Sequence, residues 1–455
     1  MGHLTRLFSR TVGFFSRTFR KGGGTSVPGF VLLKLDRKAI QRMSKGLQKG
    51  RILISATNGK TTTTRVISKI ASSAGLHCLS NPSGANLRTG VATALLNRDP
   101  EENLCVFEVD EGALPNLAEE LEADTIVLMN LFRDQLDRYG ELETIRSKWS
   151  EMVDGLSEKT KLIVNADDPS LVFLSMHHQN ITYFGLGETK YALTSLPHAA
   201  DSSDCPNCNE VLTYSQITIG HMGHWECLNC GLSRPEPDFQ ASRVHLESLT
   251  NIEFEVSIGG ESQQITSSLP GLHNVYNVLA ALCIAETLKI ASEVSLDSIS
   301  SVDAAFGRAE SISVNGRELI LLLAKNPTGA NANLDSLLLL PGKLHLAILL
   351  NDRIADGRDV SWIWDVDYEK VAHKVNSLFL GGDRAFDLAL RFVYGGFDPD
   401  LITVKNKIPD LIDSLDSAIP AGETIFALPS YTAMLEFRDE LAKRGLTHQF
   451  WEEGK

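Results

Sequence analysis

At 455 residues, with 43% apolar and 22% charged side chains, the chain is long enough for two or three domains, and its composition excludes a coiled coil, a collagen-like chain or a disordered protein. Its formal net charge of −14 disfavours bulk binding of DNA or RNA, and no apolar run approaches the ~20 residues needed to span a bilayer. Seven cysteines, four of them in two Cys-x-x-Cys pairs, suit a metal site in a reducing, cytoplasmic compartment better than a disulfide framework.

Residues 1–45 read as a basic segment and linker. Arg6, Arg10, Arg17, Arg20, Lys21 and Lys34 all precede the first acidic residue, Asp36. On a helix, Leu4, Phe8, Val12, Phe15 and Phe19 share one face and the arginines oppose them. Such an amphipathic basic helix docks on the protein's own body, lies on anionic lipid headgroups, or serves as an organelle transit peptide. Gly22 to Gly24 and then Pro28-Gly29 are expected to break it and form a linker.

Residues 51–57 predict a buried strand, and Asn58-Gly59-Lys60-Thr61 opens a helical stretch to about residue 74. In a strand, phosphate loop and helix of this kind, backbone N–H groups at the helix start hold phosphate oxygens. Lys60 reaches the β and γ phosphates, and the Thr61 hydroxyl ligates Mg²⁺. ATP binding is the direct inference, although Ile54 stands where the full Walker pattern has its first glycine. Further strands at 104–109, 125–129 and 161–164 alternate with helical lengths, which predicts a doubly wound parallel sheet with its ligands at the C-terminal strand ends. Of the acids there, Glu108 is best placed to hold Mg²⁺. Asn130, Asp134, Asn165, Asp167 and Asp168 are open to explanation as helix caps and solvated loop groups, and Asp110 and Glu111 are given no part in the site.

Cys205-Pro-Asn-Cys208 and Cys227-Leu-Asn-Cys230 are separated by 18 residues, the spacing of a ribbon that binds zinc through four thiolates. Four cysteines leave no open coordination position, so the expected role is structural, in an insertion at about 200–235. Residues 214–225 contain no Lys or Arg, which argues against a nucleic-acid finger. Cys78, Cys105 and Cys283 are expected to be small core residues.

From about residue 311 strand and helix alternate again. Residues 351–367 are unusually acidic and aromatic; Asp356-Gly357 reads as a turn, and Asp359 could present a carboxylate at a surface ahead of Trp362 and Trp364.

Several of these segments resemble the Mur ligases, ATP-dependent enzymes that join amino acids to peptidoglycan precursors. Ala56-Thr57-Asn58-Gly59-Lys60-Thr61-Thr62 is similar to their Gly-Thr-Asn-Gly-Lys-Thr loop, and segments beginning at Met129, Asn165, Pro270 and Gly307 follow in the family's order. The resemblance implies a Mur ligase-type α/β fold over residues 46–310, with a C-terminal α/β domain over 311–455. It implies ATP and Mg²⁺ as cofactors and nucleotide contacts from Thr57, Asn58, Gly59, Lys60, Thr61 and Thr62. Asn274 would lie near the adenine, and Arg308 and Glu310 near the ribose or adenine. Departures stand beside it: Ala56 replaces a loop glycine, Gln135 replaces a histidine, and Lys325-Asn326-Pro327 stands for His-Asn-Pro. Only about 45 residues precede the loop, where the family's UDP-binding domain would lie. Amino-acid acceptor chemistry and UDP recognition are therefore not expected, Lys325 either touches phosphate or is solvated, and Tyr431 belongs to core or interface.

The Mur-type core, the four cysteines and the run from Ala355 to Asp365 together are similar to the MurT-type ligase subunits of lipid II isoglutaminyl synthase. That implies amidation of the D-glutamate α-carboxyl of lipid II through an acyl phosphate, at the inner face of the membrane. Ammonia comes from a separate GatD-type glutaminase subunit, in a heterodimer. The resemblance makes Lys60 and Glu108 the ATP-orienting residues and Asp359 the acid that completes the partner's Cys–His pair, with Asp356 as runner-up. Two other readings are an amino-acid ligase like the folylpolyglutamate synthases, which the altered His segment opposes, and a non-catalytic zinc-ribbon assembly protein, which intact Lys60, Thr61 and Glu108 oppose.

Overall fold

The computed structural model describes residues 26–81, 84–133, 142–198, 200–246, 251–258, 260–302 and 308–447, without the side chains of Arg308 and Ala309. The expected N-terminal amphipathic helix and the positions Asp134, Gln135 and Gly307 lie outside the described residues.

The first domain opens with two short helices, α1 (Val27–Leu35) and α2 (Ala39–Ser44). Here the expected linker is corrected: Pro28 and Gly29 lie inside the first turn of α1 and are buried. Proline is tolerated there because the first helical N–H groups have no partner within the helix. Gly29 lets α1 press onto its neighbour α4 (Arg88–Asn97), since a Cβ would stand 1.9 Å from the Thr89 carbonyl oxygen.

Between them run β1 (Gly50–Ser55), α3 (Lys60–Ser73) and β2 (Cys78–Ser80), and after α4 come β3 (Leu104–Val109), α5 (Leu114–Leu121), β4 (Thr125–Leu128), α6 (Leu142–Asp154), β5 (Lys161–Asn165), α7 (Pro169–Ser175) and β6 (Ile181–Leu186). β1 lies between β3 and β4, parallel to both, and nearly all its side chains are buried because helices cover both faces. On α3, Val66, Ile67, Ile70 and Ala71 recur at helical spacing and are fully buried against one face. Leu32, Ile40, Val91, Leu117 and Trp149 fill the other.

The sheet is longer than the sequence predicts and not wholly parallel. Its nine strands run β11-β10-β9-β6-β5-β4-β1-β3-β2, and β9 (Phe239–Leu246), β10 (Ile252–Ile258) and β11 (Glu261–Ser267) form an antiparallel extension. The alternating burial of β10 explains why: one face packs on the core and the other meets solvent. A separate hairpin, β7 (Thr213–Ile219) with β8 (Met222–Glu226), carries the four cysteines at its ends and docks through buried Trp225, whose Nε1 donates to the Ala166 carbonyl at 3.2 Å. α8 (Leu272–Thr287) and α9 (Ser292–Ser300) close the domain.

The second domain is a six-stranded sheet in the order β12-β13-β17-β14-β15-β16. β12 (Arg308–Val314) and β13 (Arg317–Leu322) are antiparallel; β14 (Leu344–Leu349), β15 (Val375–Gly381), β16 (Ile402–Lys405) and β17 (Thr424–Pro429) run parallel with β13. α10 (Pro327–Leu338) and α11 (Ala385–Tyr394) pack on one face, and α12 (Ile408–Ala418) and α13 (Tyr431–Lys443) on the other. None of the described helices is long and apolar enough to cross a membrane.

Candidate active site

The phosphate loop between β1 and α3 is held from three sides. Asn130, just past β4, accepts the Asn58 N–H and donates to the Asn58 carbonyl, both at 2.9 Å. Thr57 donates its N–H to the Asn130 carbonyl at 3.1 Å, and its hydroxyl accepts the Phe132 N–H at 2.9 Å. Thr57 is therefore an anchor of the loop: its N–H donates to the Asn130 carbonyl and its hydroxyl to the Phe132 carbonyl, both just past β4. Gly59 adopts φ +99°, and a Cβ there would stand 2.2 Å from Asn277 Oδ1, so the left-handed turn and the approach of α8 both require glycine.

Lys60 is buried at the start of α3. Its ammonium donates to the Ala56 carbonyl and to Glu111 Oε2 at 2.9 Å, and it forms an ion pair with Glu111. This corrects the exclusion of Glu111. Burial opposes charge on that carboxyl, yet the nearby ammonium groups of Lys60 and then Lys325, with the Lys60 hydrogen bond, hold it below its usual range. The available signal was position, because Glu111 follows the same strand end as Glu108. The link to Lys325 brings a residue of the second domain to the phosphate loop and points away from a merely solvated lysine.

Glu108, the last buried acid of β3, accepts the Gly84 N–H through Oε1 at 3.0 Å. Its Oε2 is buried and has no donor among the described residues. An ionised oxygen in that position requires a cation or donor to offset its desolvation. Glu108 therefore suits a hard divalent ion such as Mg²⁺.

The crevice beside the loop, about 110 Å³, is lined by Gly59 and Asn130 on one side, His273 and Asn274 at the head of α8, and Lys325 and Ser336 from the second domain. Asn274 lines it, and its amide also donates to the Pro270 carbonyl and accepts from Asn277, the bonds of a helix start. Glu310 is the residue expected near the ribose or adenine. It stands on the first strand of the second sheet and pairs at 2.8 Å with buried Arg438, so it is held by its own domain. Asp167 and Asp168 are fully buried, not solvated: Asp167 binds Arg234 at 2.7 Å and accepts the Tyr276 hydroxyl at 2.6 Å, and Asp168 caps α7 while accepting the Leu131 N–H.

The two carboxylates of the 351–367 segment differ sharply. Asp356 is buried and accepts both the N–H and the hydroxyl of Thr432, so it caps the first turn of α13. Asp359 is exposed; hydrogen bonds from Ser361 hold its carboxyl below the usual value, so it is ionised at neutral pH. Around this segment Ile354, Trp364, Phe386, Leu390, Val393 and Tyr394 expose large apolar surfaces. Arg391 braces it from beneath, donating to the Ile363 and Val366 carbonyls and pairing with Glu369 at 2.6 Å. Tyr431 belongs to the face between domains: its hydroxyl is 3.7 Å from where a Cβ on Gly84 would stand, beside the Glu108 loop.

The thiols of Cys205, Cys208, Cys227 and Cys230 all lie within 4.8 Å of one another, with Cys205–Cys230 at 3.6 Å and Cys208–Cys227 at 3.5 Å. Four sulfurs at Zn–S ~2.3 Å in a tetrahedron would be about 3.8 Å apart, close to this spacing. Cys78, Cys105 and Cys283 are ordinary thiols whose ionisation burial opposes.

Residues 54–230 match the Mur ligase middle domain family and residues 323–434 the MurT ligase C-terminal family. The chain is 32% identical to the MurT subunit of lipid II isoglutaminyl synthase (glutamine-hydrolyzing) of Streptococcus pneumoniae, over 94% of this chain and 95% of that protein. It is 28% identical to the subunit of the same name from Staphylococcus aureus, over 97% and 96%. Among solved structures it resembles a pseudomurein peptide ligase type C from Methanothermus fervidus (TM-score 0.70, 22% identity, 89% of this chain and 81% of that one). It also resembles a MurF ligase from Thermotoga maritima in complex with ADP (TM-score 0.65, 16% identity, 90% and 84%). At these identities the structural likeness establishes the fold.

Proposed function

We propose, on the premise that the chain belongs to the MurT family of lipid II isoglutaminyl synthase subunits, that it is the ATP-dependent ligase that converts the D-glutamate α-carboxyl of lipid II into an amide. The observation that carries this reading is the buried Lys60–Glu111 pair beside Glu108, in a phosphate loop that the second domain closes. The carboxylate oxygen attacks the γ-phosphorus of ATP, the bond to ADP breaks, and an acyl phosphate forms. Ammonia then attacks the acyl carbon, phosphate leaves with the C–O electron pair, and the nitrogen loses a proton to give the amide.

Lys60 supplies positive charge to the transferring phosphate, and the backbone N–H groups at the head of α3 hold the neighbouring oxygens. Glu111 keeps the ammonium aligned until phosphate competes for it. Mg²⁺, held by Glu108 and Thr61, would neutralise charge on the phosphates.

Ammonium predominates over ammonia at neutral pH, so a nearby source matters, and we assign it to a GatD-type glutaminase partner docked on the second domain. Asp359 supports this assignment: it is exposed and ionised in a segment that also exposes Ile354 and Trp364, apolar surface that a partner would cover, in the role of the acid that orients a histidine. Structural zinc in the four-cysteine site completes the proposal. The reaction is placed at the inner face of the membrane, where a lipid-linked substrate presents its headgroup.

The test is mass spectrometry of lipid II incubated with the chain, Mg-ATP and ammonium, or with glutamine with and without the partner. Amide formed with ammonium alone, and with glutamine only when the partner is present, is the expected result. No amide from either nitrogen source would overturn the reading.

A further inference from the structure

We infer that α1 and the turn into α2 form a contact surface for an anionic lipid bilayer. Charge is strongly polarised along the chain: the first 51 residues hold twelve of its 43 basic residues and one of its 57 acidic ones, Asp36. Within the described part of that stretch, α1 turns Pro28, Gly29, Leu32 and Leu33 inward against α4. Its outer side exposes Phe30 at 55% and Leu35 at 58%.

Cations stand beside Phe30 and along the same stretch of chain. The Lys34 ammonium lies 5.6 Å from the centre of the Phe30 ring, and Arg37, Lys38, Arg42 and Lys45 are all exposed nearby in sequence. Arg42 pairs with Asp36, the one acid of this stretch of sequence, and Arg88 pairs with Glu120 of α5. A crevice lined by Phe30, Leu33, Lys34, Arg37, Arg88 and Thr89 runs between α1 and the head of α4. An exposed aromatic ring and an exposed leucine in a stretch rich in lysine and arginine match the boundary of an anionic bilayer. The apolar groups enter the upper acyl region, and the long cationic side chains stay with the phosphates.

Position favours the same occupant. The turn before α4 touches the active site directly: Gly84 donates to Glu108, and the Asn86 carbonyl accepts the Asp110 N–H at 3.0 Å. α1 therefore lies one helix away from the residues proposed to handle phosphate, and a chain resting on α1 would keep its catalytic cleft near the headgroup layer. The lipid-linked substrate belongs to the function proposed above, but bilayer contact is measurable without catalysis.

The experiment is flotation of the full chain with vesicles of phosphatidylcholine alone or mixed with phosphatidylglycerol, at low and at high salt. The chain should float with the anionic vesicles and be released by high salt. The variant Lys34→Glu/Arg37→Glu/Lys38→Glu should bind anionic vesicles at least about tenfold more weakly, and Phe30→Ser/Leu35→Ser should also bind less. All five side chains are exposed, so both variants should keep the parent's thermal transition. Flotation of the charge-reversed chain like the parent, equal binding to both vesicle types, or no flotation of the parent would each overturn the inference. Both variants should retain ammonium-dependent amidation of detergent-solubilised lipid II, so failure of the bilayer surface is distinguishable from failure of the ligase reading.

Discussion

Asn58 and Asn326 are 268 positions apart and exchange side-chain amide hydrogen bonds in both directions, at 3.3 Å from Asn58 to Asn326 and 3.1 Å in return. Asn58 belongs to the phosphate loop, and Asn326 caps α10 of the second domain by accepting the Gly329 N–H at 2.8 Å. One amide therefore starts a helix and latches the two domains across the nucleotide crevice. Asn326→Ala should lose both functions, lowering stability by about 0.5–2 kcal/mol and raising the KM for ATP. Asn326→Asp should retain the cap and most of the stability while still raising the KM, because it cannot donate to Asn58. Denaturant unfolding together with ATP-dependent kinetics separates the two effects.

The Lys60–Glu111 pair carries a pH signature. The folded-state pKa of Glu111 is depressed, so its contribution to stability is present above the unfolded carboxyl value of about 4.3 and is lost as pH falls through the folded value. Glu111→Gln should therefore be less stable than the parent near neutrality, with the difference shrinking below about pH 4. Thermal unfolding from pH 7 to pH 3 measures it, and a constant difference across that range would contradict the pairing. Lys60→Ala should abolish ATP-dependent turnover by at least about a hundredfold.

Asp359 and Asp356 should separate cleanly. Asp359→Asn leaves the fold and ammonium-dependent turnover unchanged but should reduce glutamine-dependent turnover by about a thousandfold or more, as loss of an orienting acid does elsewhere. Asp356→Asn weakens the cap on Thr432 and should lower stability by about 0.5–2 kcal/mol, whatever the nitrogen source. Parallel assays with ammonium and with glutamine plus partner, alongside thermal melts, distinguish the two.

The four-cysteine cluster should contain one zinc per chain. Metal analysis of Cys227→Ser should show that zinc lost, with a lower melting temperature, because Trp225 and Gly223 tie the same hairpin to the loop of Ala166 and Asp167. A parent chain without zinc, melting unchanged in the presence of a strong chelator, would remove zinc from the account.

Much of the chemistry is legible in the sequence because its signals are local. A strand followed by Asn58-Gly59-Lys60-Thr61 specifies a phosphate loop through backbone geometry within a few residues. Two Cys-x-x-Cys pairs specify a four-thiolate cluster through ligand count, and the Asp-Gly pair at 356–357 specifies a turn, with Gly357 at φ +85°. Tertiary structure alone decided which acid faces Lys60, that Asn326 latches onto Asn58, and that Glu310 pairs with Arg438. It also placed Pro28 and Gly29 within a helix pressed against α4, where pattern had suggested a linker. The division has one physical cause. Propensities and ligand spacing act over a few bonds, whereas a hydrogen bond across 268 positions depends on two separately packed cores bringing their side chains within 3 or 4 Å.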